Sequence, residues 1–261
     1  MRNTPLTTVD HTPRAVIAIG TDYPPGTLLD THSHRRAQFL YGMTGLMEVR
    51  TDDGAWVVPP YSGVWIPAGK PHAVRMQGVT TRSLYIGPDA DPREQSHCDV
   101  LAVSPLLHEL LLASADLDAL YDVSGRDGAL VTLILHELRV APPLPFFAPI
   151  PGDPALAALC IAFLRHPDAR QTVDTWAARL NTSVRTFHRH FGQQTGMPFS
   201  TWRQRACLLA ALPRLIAGGT VTAIALDLGY DSPSAFSTMF RKVLGRTPSQ
   251  FAETSRKGTP S

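Results

Sequence analysis

The chain has 261 residues, 44% of them apolar, which is long enough for two domains that each bury a core. Its net charge of +2 hides an imbalance: residues 1–154 carry 11 basic and 17 acidic side chains, whereas residues 155–261 carry 13 and 5, which points polyanion binding to the carboxyl-terminal part. There is no 18-residue apolar run, no basic-then-apolar opening in MRNTPLTTVD, and no close spacing among Cys98, Cys160 and Cys207; these argue against a membrane span, a secretory leader, a metal knuckle or a disulfide framework. A cytoplasmic chain with buried, reduced thiols is expected.

From residue 15 to about 86, short β-rich runs (AVIAIG, AQFLYGMTG, LMEVRT, AWVVPP, GVWIPAG, HAVRM, RSLYIG) alternate with Gly, Pro and Asp turns. Asp53-Gly54 reads as a hairpin turn. About seven such strands predict a small antiparallel barrel or double-sheet sandwich with a pocket between the sheets. Ser104-Pro105 then opens a helix carrying Leu106, Leu107, Leu110, Leu111 and Ala113. A second helix over residues 128–140 places Leu130, Leu133, Ile134 and Leu138 on one side, either to cover the sheet or to dimerise. Residues 141–154 hold six prolines and read as a stiff interdomain linker. Another helix begins at Asp153-Pro154 and runs to about residue 165.

The last third repeats one device. TVDTWAARLNTSVRTFHRHF and TVTAIALDLGYDSPSAFSTMFRKVLG, about 50 residues apart, each read as a short helix, a turn and a second short helix. Ala177, Asn181 and Ser183 in the first copy, and Ala225, Gly229 and Ser232 in the second, supply a small contact residue, a turn residue tolerant of positive φ, and a helix cap. The helix between the copies contains Trp202, Ala206, Leu209 and Leu212, and Pro213 is expected to kink or break it. A disordered tail is expected from residue 256.

Residues 155–252 resemble the DNA-binding domain of the AraC/XylS family of bacterial transcription regulators. The resemblance rests on WAARLNTSVRTFHRHFGQQTGMPFSTWRQRA and on VTAIALDLGYDSPSAFSTMFRKVLGRTPSQF. With Phe187 and Phe191 inward by spacing, Ser183 caps the first reading helix while Arg185, His188 and Arg189 face out. The resemblance implies that they read base edges, with Arg189 the best bidentate guanine contact. In the second copy Phe236 and Phe240 turn inward, leaving Ser234, Ser237, Thr238 and Arg241 outward. Short hydroxyls there suit phosphate contacts or thymine methyls, so this copy is expected to position the protein, assisted by Lys242, Arg246 and Thr247. Two such helices fit successive major grooves about 34 Å apart.

The amino-terminal part resembles the cupin signature: Gly26, His32, His34, Gln38 and Gly45, then Pro67, Gly69 and His72, all at the expected spacing. Gln38 stands where metal-binding cupins have glutamate, and Met76 where the second motif often ends in asparagine. If His32 and His34 lie on one strand they share a face, and His72 could complete a metal triad. Three readings stay open. The histidines could hold zinc, nickel or iron with Gln38 as a weak fourth ligand, line a metal-free effector pocket walled by Phe39, Tyr41, Trp56 and Trp65, or be hydrogen-bonded relics of the fold.

The expected fold is α+β: a cupin-like β-barrel sensor domain (residues 1–98), a helical linker or dimerisation segment (99–140), the Pro-rich linker (141–154) and an all-α double helix-turn-helix DNA-binding domain (155–252). The expected function is sequence-specific, effector-controlled transcription regulation without catalysis. The expected partners are promoter DNA, a small-molecule or metal effector, RNA polymerase and a second copy in a homodimer, with no membrane. The alternative is a cupin metalloenzyme, a dioxygenase or isomerase, with a DNA-binding appendage.

Overall fold

The computed structural model describes residue 7 and residues 10–257, with side chains through residue 253. The chain divides into two compact units, Met1–Thr51 with Val58–Leu144, and Asp52–Val57 with Pro145–Ser261.

In the first unit, five antiparallel strands form a sheet in the order β1 (Val16–Tyr23), β8 (Val79–Ile86), β3 (Ala37–Gly42), β6 (Ser62–Ile66), β9 (Asp99–Ala102). A second sheet contributes β4 (Leu46–Arg50), β7 (His72–Gln77) and β2 (Thr27–His32). Alternation along each strand separates two environments. Phe39, Tyr41, Leu84 and Ile86 join the core beneath helices α1 (Pro105–Ala113) and α2 (Arg126–Val140), whereas Gln38, Ser83 and Tyr85 meet on the opposite face. Ser104 caps α1 by accepting the Leu107 amide at 3.0 Å. The helices do cover the sheet, through Leu107, Leu111, Leu130, Ile134 and Leu138, each contributing about 1.5–3 kcal/mol of burial. Leu133, expected on that inward stripe, is 41% exposed, and Leu106 is 49% exposed, because α2 and α1 each turn a narrower face to the sheet than the spacing suggests.

The Pro-rich segment is not a free linker. Pro142 and Leu144 bond to β9 through Ala102 N–H to Pro142 O (3.0 Å) and Leu144 N–H to Val100 O (2.7 Å). Farther on, β10 (Phe147–Pro149) pairs with β5 (Gly54–Val58), and Phe147 stacks on Trp56 at 4.5 Å. Proline suits such edge positions because they need few amide donors. The expected boundary therefore moves: residues 52–57, assigned from sequence to the barrel, belong to the second unit.

The second unit contains α3 (Pro154–Arg165), α4 (Val173–Arg179), α5 (Val184–Thr195), α6 (Phe199–Ile216), α7 (Val221–Asp227), α8 (Pro233–Leu244) and α9 (Pro248–Lys257). Helix α6 stays helical through Pro213, which sits in its last turn and so removes one hydrogen bond near an end that would fray anyway. The expected break is absent. Trp202 on α6 donates through Nε1 to Pro149 O at 2.7 Å, which fastens β10 to the helices. Arg256 and Lys257, expected in a disordered tail, are helical, and the remainder of that tail lies outside the described residues.

The two helix-turn-helix copies close in the same way. Thr182 N–H bonds Ala177 O and Tyr230 N–H bonds Ala225 O, both at 3.0 Å, around left-handed residues Asn181 (φ 50°) and Gly229 (φ 76°). Each turn is a Schellman motif. Gly229 is doubly constrained, since a Cβ there would lie 2.0 Å from Asp168 Oδ1. Gly229→Ala is expected to destabilise the second unit by about 2–4 kcal/mol, from left-handed strain plus overpacking, whereas Asn181→Gly should change stability by less than about 1 kcal/mol. Urea denaturation of the two variants checks the contrast.

Candidate functional site

The helical unit presents the second helix of each helix-turn-helix copy, α5 and α8, with an exposed polar face. Ser183 caps α5 by accepting the Thr186 amide at 3.2 Å. Phe187 and Phe191 are buried in an aromatic cluster with Trp176, Phe199 and Trp202, whose ring centroids lie 4.8–6.4 Å apart. Locking those two phenylalanines fixes the roll of α5 and turns Arg185, His188 and Arg189 to solvent. Ser232 caps α8 by accepting the Ala235 amide at 3.1 Å, and Phe236 and Phe240 pack beside Tyr230 and Phe251. Ser234, Thr238, Arg241 and Lys242 are exposed and Ser237 is half-buried. Ser234, Ser237, Thr238, Arg241 and Thr247 line one shallow groove.

Two of the proposed backbone contacts have prior engagements. The Arg246 guanidinium lies 4.7 Å over the Phe251 ring, and burial lowers its pKa. Thr247 and Gln250 form a capping box for α9: the Gln250 amide bonds Thr247 Oγ1 (3.3 Å) and the Thr247 amide bonds Gln250 Oε1 (2.9 Å). The TPSQ spacing carries that signal in the sequence.

In the first unit the three signature histidines converge. Their ligand atoms lie within 4.8 Å of one another, with His32 exposed, His34 half-buried and His72 buried. His32 and His72 are register partners on β2 and β7. His34 lies beyond the end of β2, so strand alternation is not what aims it. Its Nδ1 is instead 2.6 Å from Arg36 O. His32 Nδ1 lies 2.7 Å from Asp30 O and His72 Nδ1 2.8 Å from Lys70 O. A carbonyl can only accept, so each ring in its neutral form carries the proton on Nδ1 and a lone pair on Nε2. Backbone carbonyls thus select one tautomer in all three rings. Burial, and then the neighbouring His32 and His34, push the His72 pKa down to about 4 against the opposing bond to Lys70, so this ring is neutral. Its Nε2 is buried without a partner.

Gln38 joins the group, 5% exposed, with Oε1 3.1 Å from His34 Nε2 and its amide nitrogen 3.3 Å from Ser83 Oγ and 3.1 Å from Tyr85 Oη. Two acceptors facing each other across a neutral imidazole conflict. Turning the amide over resolves this: its NH₂ then donates to His34 Nε2, and its oxygen accepts from both hydroxyls. Ser83 and Tyr85 were not identified from the sequence. Their alternate positions on β8, facing Gln38, are the signal that marks them. Burial and then Tyr23 push the Tyr85 pKa up to about 12, so it remains a donor. Of the other expected pocket walls, Phe39, Tyr41 and Trp65 belong to the core under α1 and α2, and Trp56 lies in the second unit. Phe39, Tyr41 and Trp65 therefore turn away from the histidine site.

Comparison with known proteins covers both units. Residues 15–139 match the AraC-like ligand binding domain and residues 176–254 match a helix-turn-helix domain. The HTH-type transcriptional regulator NimR of Escherichia coli (strain K12) is 31% identical over 221 residues, 84% of this chain and 81% of NimR. The regulatory protein SoxS of the same strain is 34% identical over 87 residues, 33% of this chain and 81% of SoxS. A structure of ToxT from Vibrio cholerae overlaps 92% of this chain and 98% of its own at 10% identity, with a TM-score of 0.37. The matched relatives are transcription regulators, which favours regulation over the metalloenzyme alternative. With an AraC-like ligand-binding domain followed by a helix-turn-helix domain, this chain belongs to the AraC family of transcription regulators.

Proposed function

We propose that the chain reads promoter DNA mainly through α5, is positioned on the backbone through α8, and changes promoter occupancy when its histidine cluster is loaded. The observation that carries this reading is a duplicated, identically capped framework whose two exposed faces differ in chemistry. Arg185, His188 and Arg189 offer donors long enough for base edges, with Arg189 matched to the two acceptors of guanine. Ser234, Ser237, Thr238 and Arg241 offer short hydroxyls and one cation, which suit phosphates. Lys242 adds a second cation there, whereas Arg246 and Thr247 would have to leave their contacts with Phe251 and Gln250 to join it.

Three imidazoles backed by carbonyls, with ligand atoms within 4.8 Å of one another, form a donor set suited to zinc, nickel or iron(II) once His34 Nε2 is released from the Gln38 amide. The lone pair of His72 is buried without any other partner, so a bound cation would remove a standing desolvation cost. Gln38 is already held by its neighbours and fits a steering role better than ligation. A metal-free effector would use the same polar group. We place the protein in the cytoplasm as a homodimer without catalytic activity, because one module buries little DNA surface and a palindromic site doubles it. RNA polymerase is then the second partner at the promoter.

Arg189→Ala is expected to weaken binding to the cognate site by about 1–3 kcal/mol with non-specific binding nearly unchanged, as read by competition shift assays. Lys242→Ala should weaken both together and reduce the salt slope by about one. An equal loss on both duplexes for Arg189→Ala would make Arg189 a phosphate contact. Separately, His72→Ala is expected to abolish stoichiometric zinc, nickel or iron uptake, measured by elemental analysis after dialysis, while operator binding by the metal-free chain is retained. Wild-type protein that takes up none of these metals would leave the metal-free effector pocket as the reading of this site.

A further inference from the structure

Among the described residues, the first unit provides no counter-charge for the largely buried Arg82. Arg82 on β8 is 9% exposed, and among the described residues its side chain donates one hydrogen bond, from Nη1 to its neighbour's carbonyl, Thr81 O, at 2.8 Å. Nε is buried without an acceptor. Among the described residues no carboxylate forms an ion pair with it. Removing a cation from water is costly unless an anion or acceptors replace the solvent, and among the described residues Nε has neither.

The surroundings are consistent with a site. Arg82 is the register partner of Gly20 on β1 and of Tyr41 on β3, so the three positions share one face of the sheet. A Cβ at Gly20 would come 3.0 Å from Nη1, so the guanidinium lies close across the bare backbone of that glycine. Tyr41 Oη lies 2.6 Å from Nδ1 of the half-buried His108 on α1, and the Tyr61 ring is 5.7 Å from that imidazole. This face is the opposite one from the histidine cluster, because Ser83 and Tyr85, on either side of Leu84, turn toward Gln38.

We propose that Arg82, bordered by Tyr41 and His108, is a binding site for a small carboxylate, gripped in bidentate fashion by the unused Nε–Nη2 edge. A planar fork of two N–H donors matches the two oxygens of that group. The site would give the sensor unit an input of its own, independent of whether the histidines hold metal.

The test titrates acetate and formate into the full chain, with sodium chloride adjusted to hold ionic strength constant. The Arg82 Nε–H resonance is followed in arginine-labelled protein and assigned by its loss in Arg82→Met. A saturable shift of that signal is expected, together with a rise of the unfolding midpoint in wild type that Arg82→Met does not show. Without acetate, Arg82→Met should be at least as stable as wild type, since it removes an unpaired buried charge. Should Arg82→Met fail to fold, Arg82→Lys, which keeps charge but lacks the fork, is expected to show a much weaker midpoint response. An unmoved resonance, or equal responses of wild type and variant, would overturn the proposal. So would a variant that is less stable by the same amount with and without acetate, because that would make Arg82 a structural residue.

Discussion

The direction in which each reading helix leaves its partner is set by a six-residue turn. In that turn one residue must be left-handed and the amide after it must reach back five residues to an alanine carbonyl. Ala177 and Ala225, 2% and 0% exposed, are small because the two helices of each copy cross on them. The turns around Asn181 and Gly229 close the same pair of hydrogen bonds although the loop before Ser232 is one residue longer than the loop before Ser183. The extra residue lies after the left-handed position, where it lengthens the approach to the cap without changing the crossing. Everything exposed on α5 and α8 inherits its aim from this arrangement, since the buried phenylalanine pairs then fix helix roll.

The histidine cluster is held by the same logic at smaller scale. The Nδ1 side of each ring is not oriented by a side chain. Three backbone carbonyls orient it, and a carbonyl position is set by the strand or loop to which it belongs. Rings fixed in this way keep their lone pairs convergent at little entropic cost when a cation or ligand arrives. The Gln38 amide extends the control outward to Ser83 and Tyr85, so the chemistry of β8 reaches His34 through one side chain.

Much of this was legible in the sequence because it depends on local chemistry. The caps Ser104, Ser183 and Ser232 and the turn residues Asn181 and Gly229 follow from neighbours a few positions away, and all occupy the expected places. The convergence of His32, His34 and His72 follows from the resemblance to the cupin signature, although His34 sits beyond the end of β2 and not on the strand. What could not be read depends on partners distant in the chain. Pairing of β5 with β10 joins residues some ninety positions apart, and no pattern in either segment announces it. Composition alone made residues 141–154 a linker, when their prolines sit at edges where a missing amide costs nothing. The engagement of Arg246 with Phe251 was hidden because an arginine in a DNA-binding domain invites a phosphate reading before an intramolecular one.

The two copies separate geometry from information. Their backbones are held by the same motif, so a base change in the operator cannot be met by moving one helix without straining its turn. Discrimination must therefore come from side chains on a fixed scaffold. On α5 these are long and carry forked or ring donors, and on α8 they are short hydroxyls beside Arg241 and Lys242. A short hydroxyl can shift between phosphate oxygens with little loss, whereas a bidentate arginine tolerates little displacement. On the proposed reading, strictness at one helix and tolerance at the other would let the module bind operators whose second half varies. The helix proposed to carry recognition, α5, has its far end tied to the connecting segment by the Asp153 amide, which donates to Gln194 Oε1 at 3.1 Å.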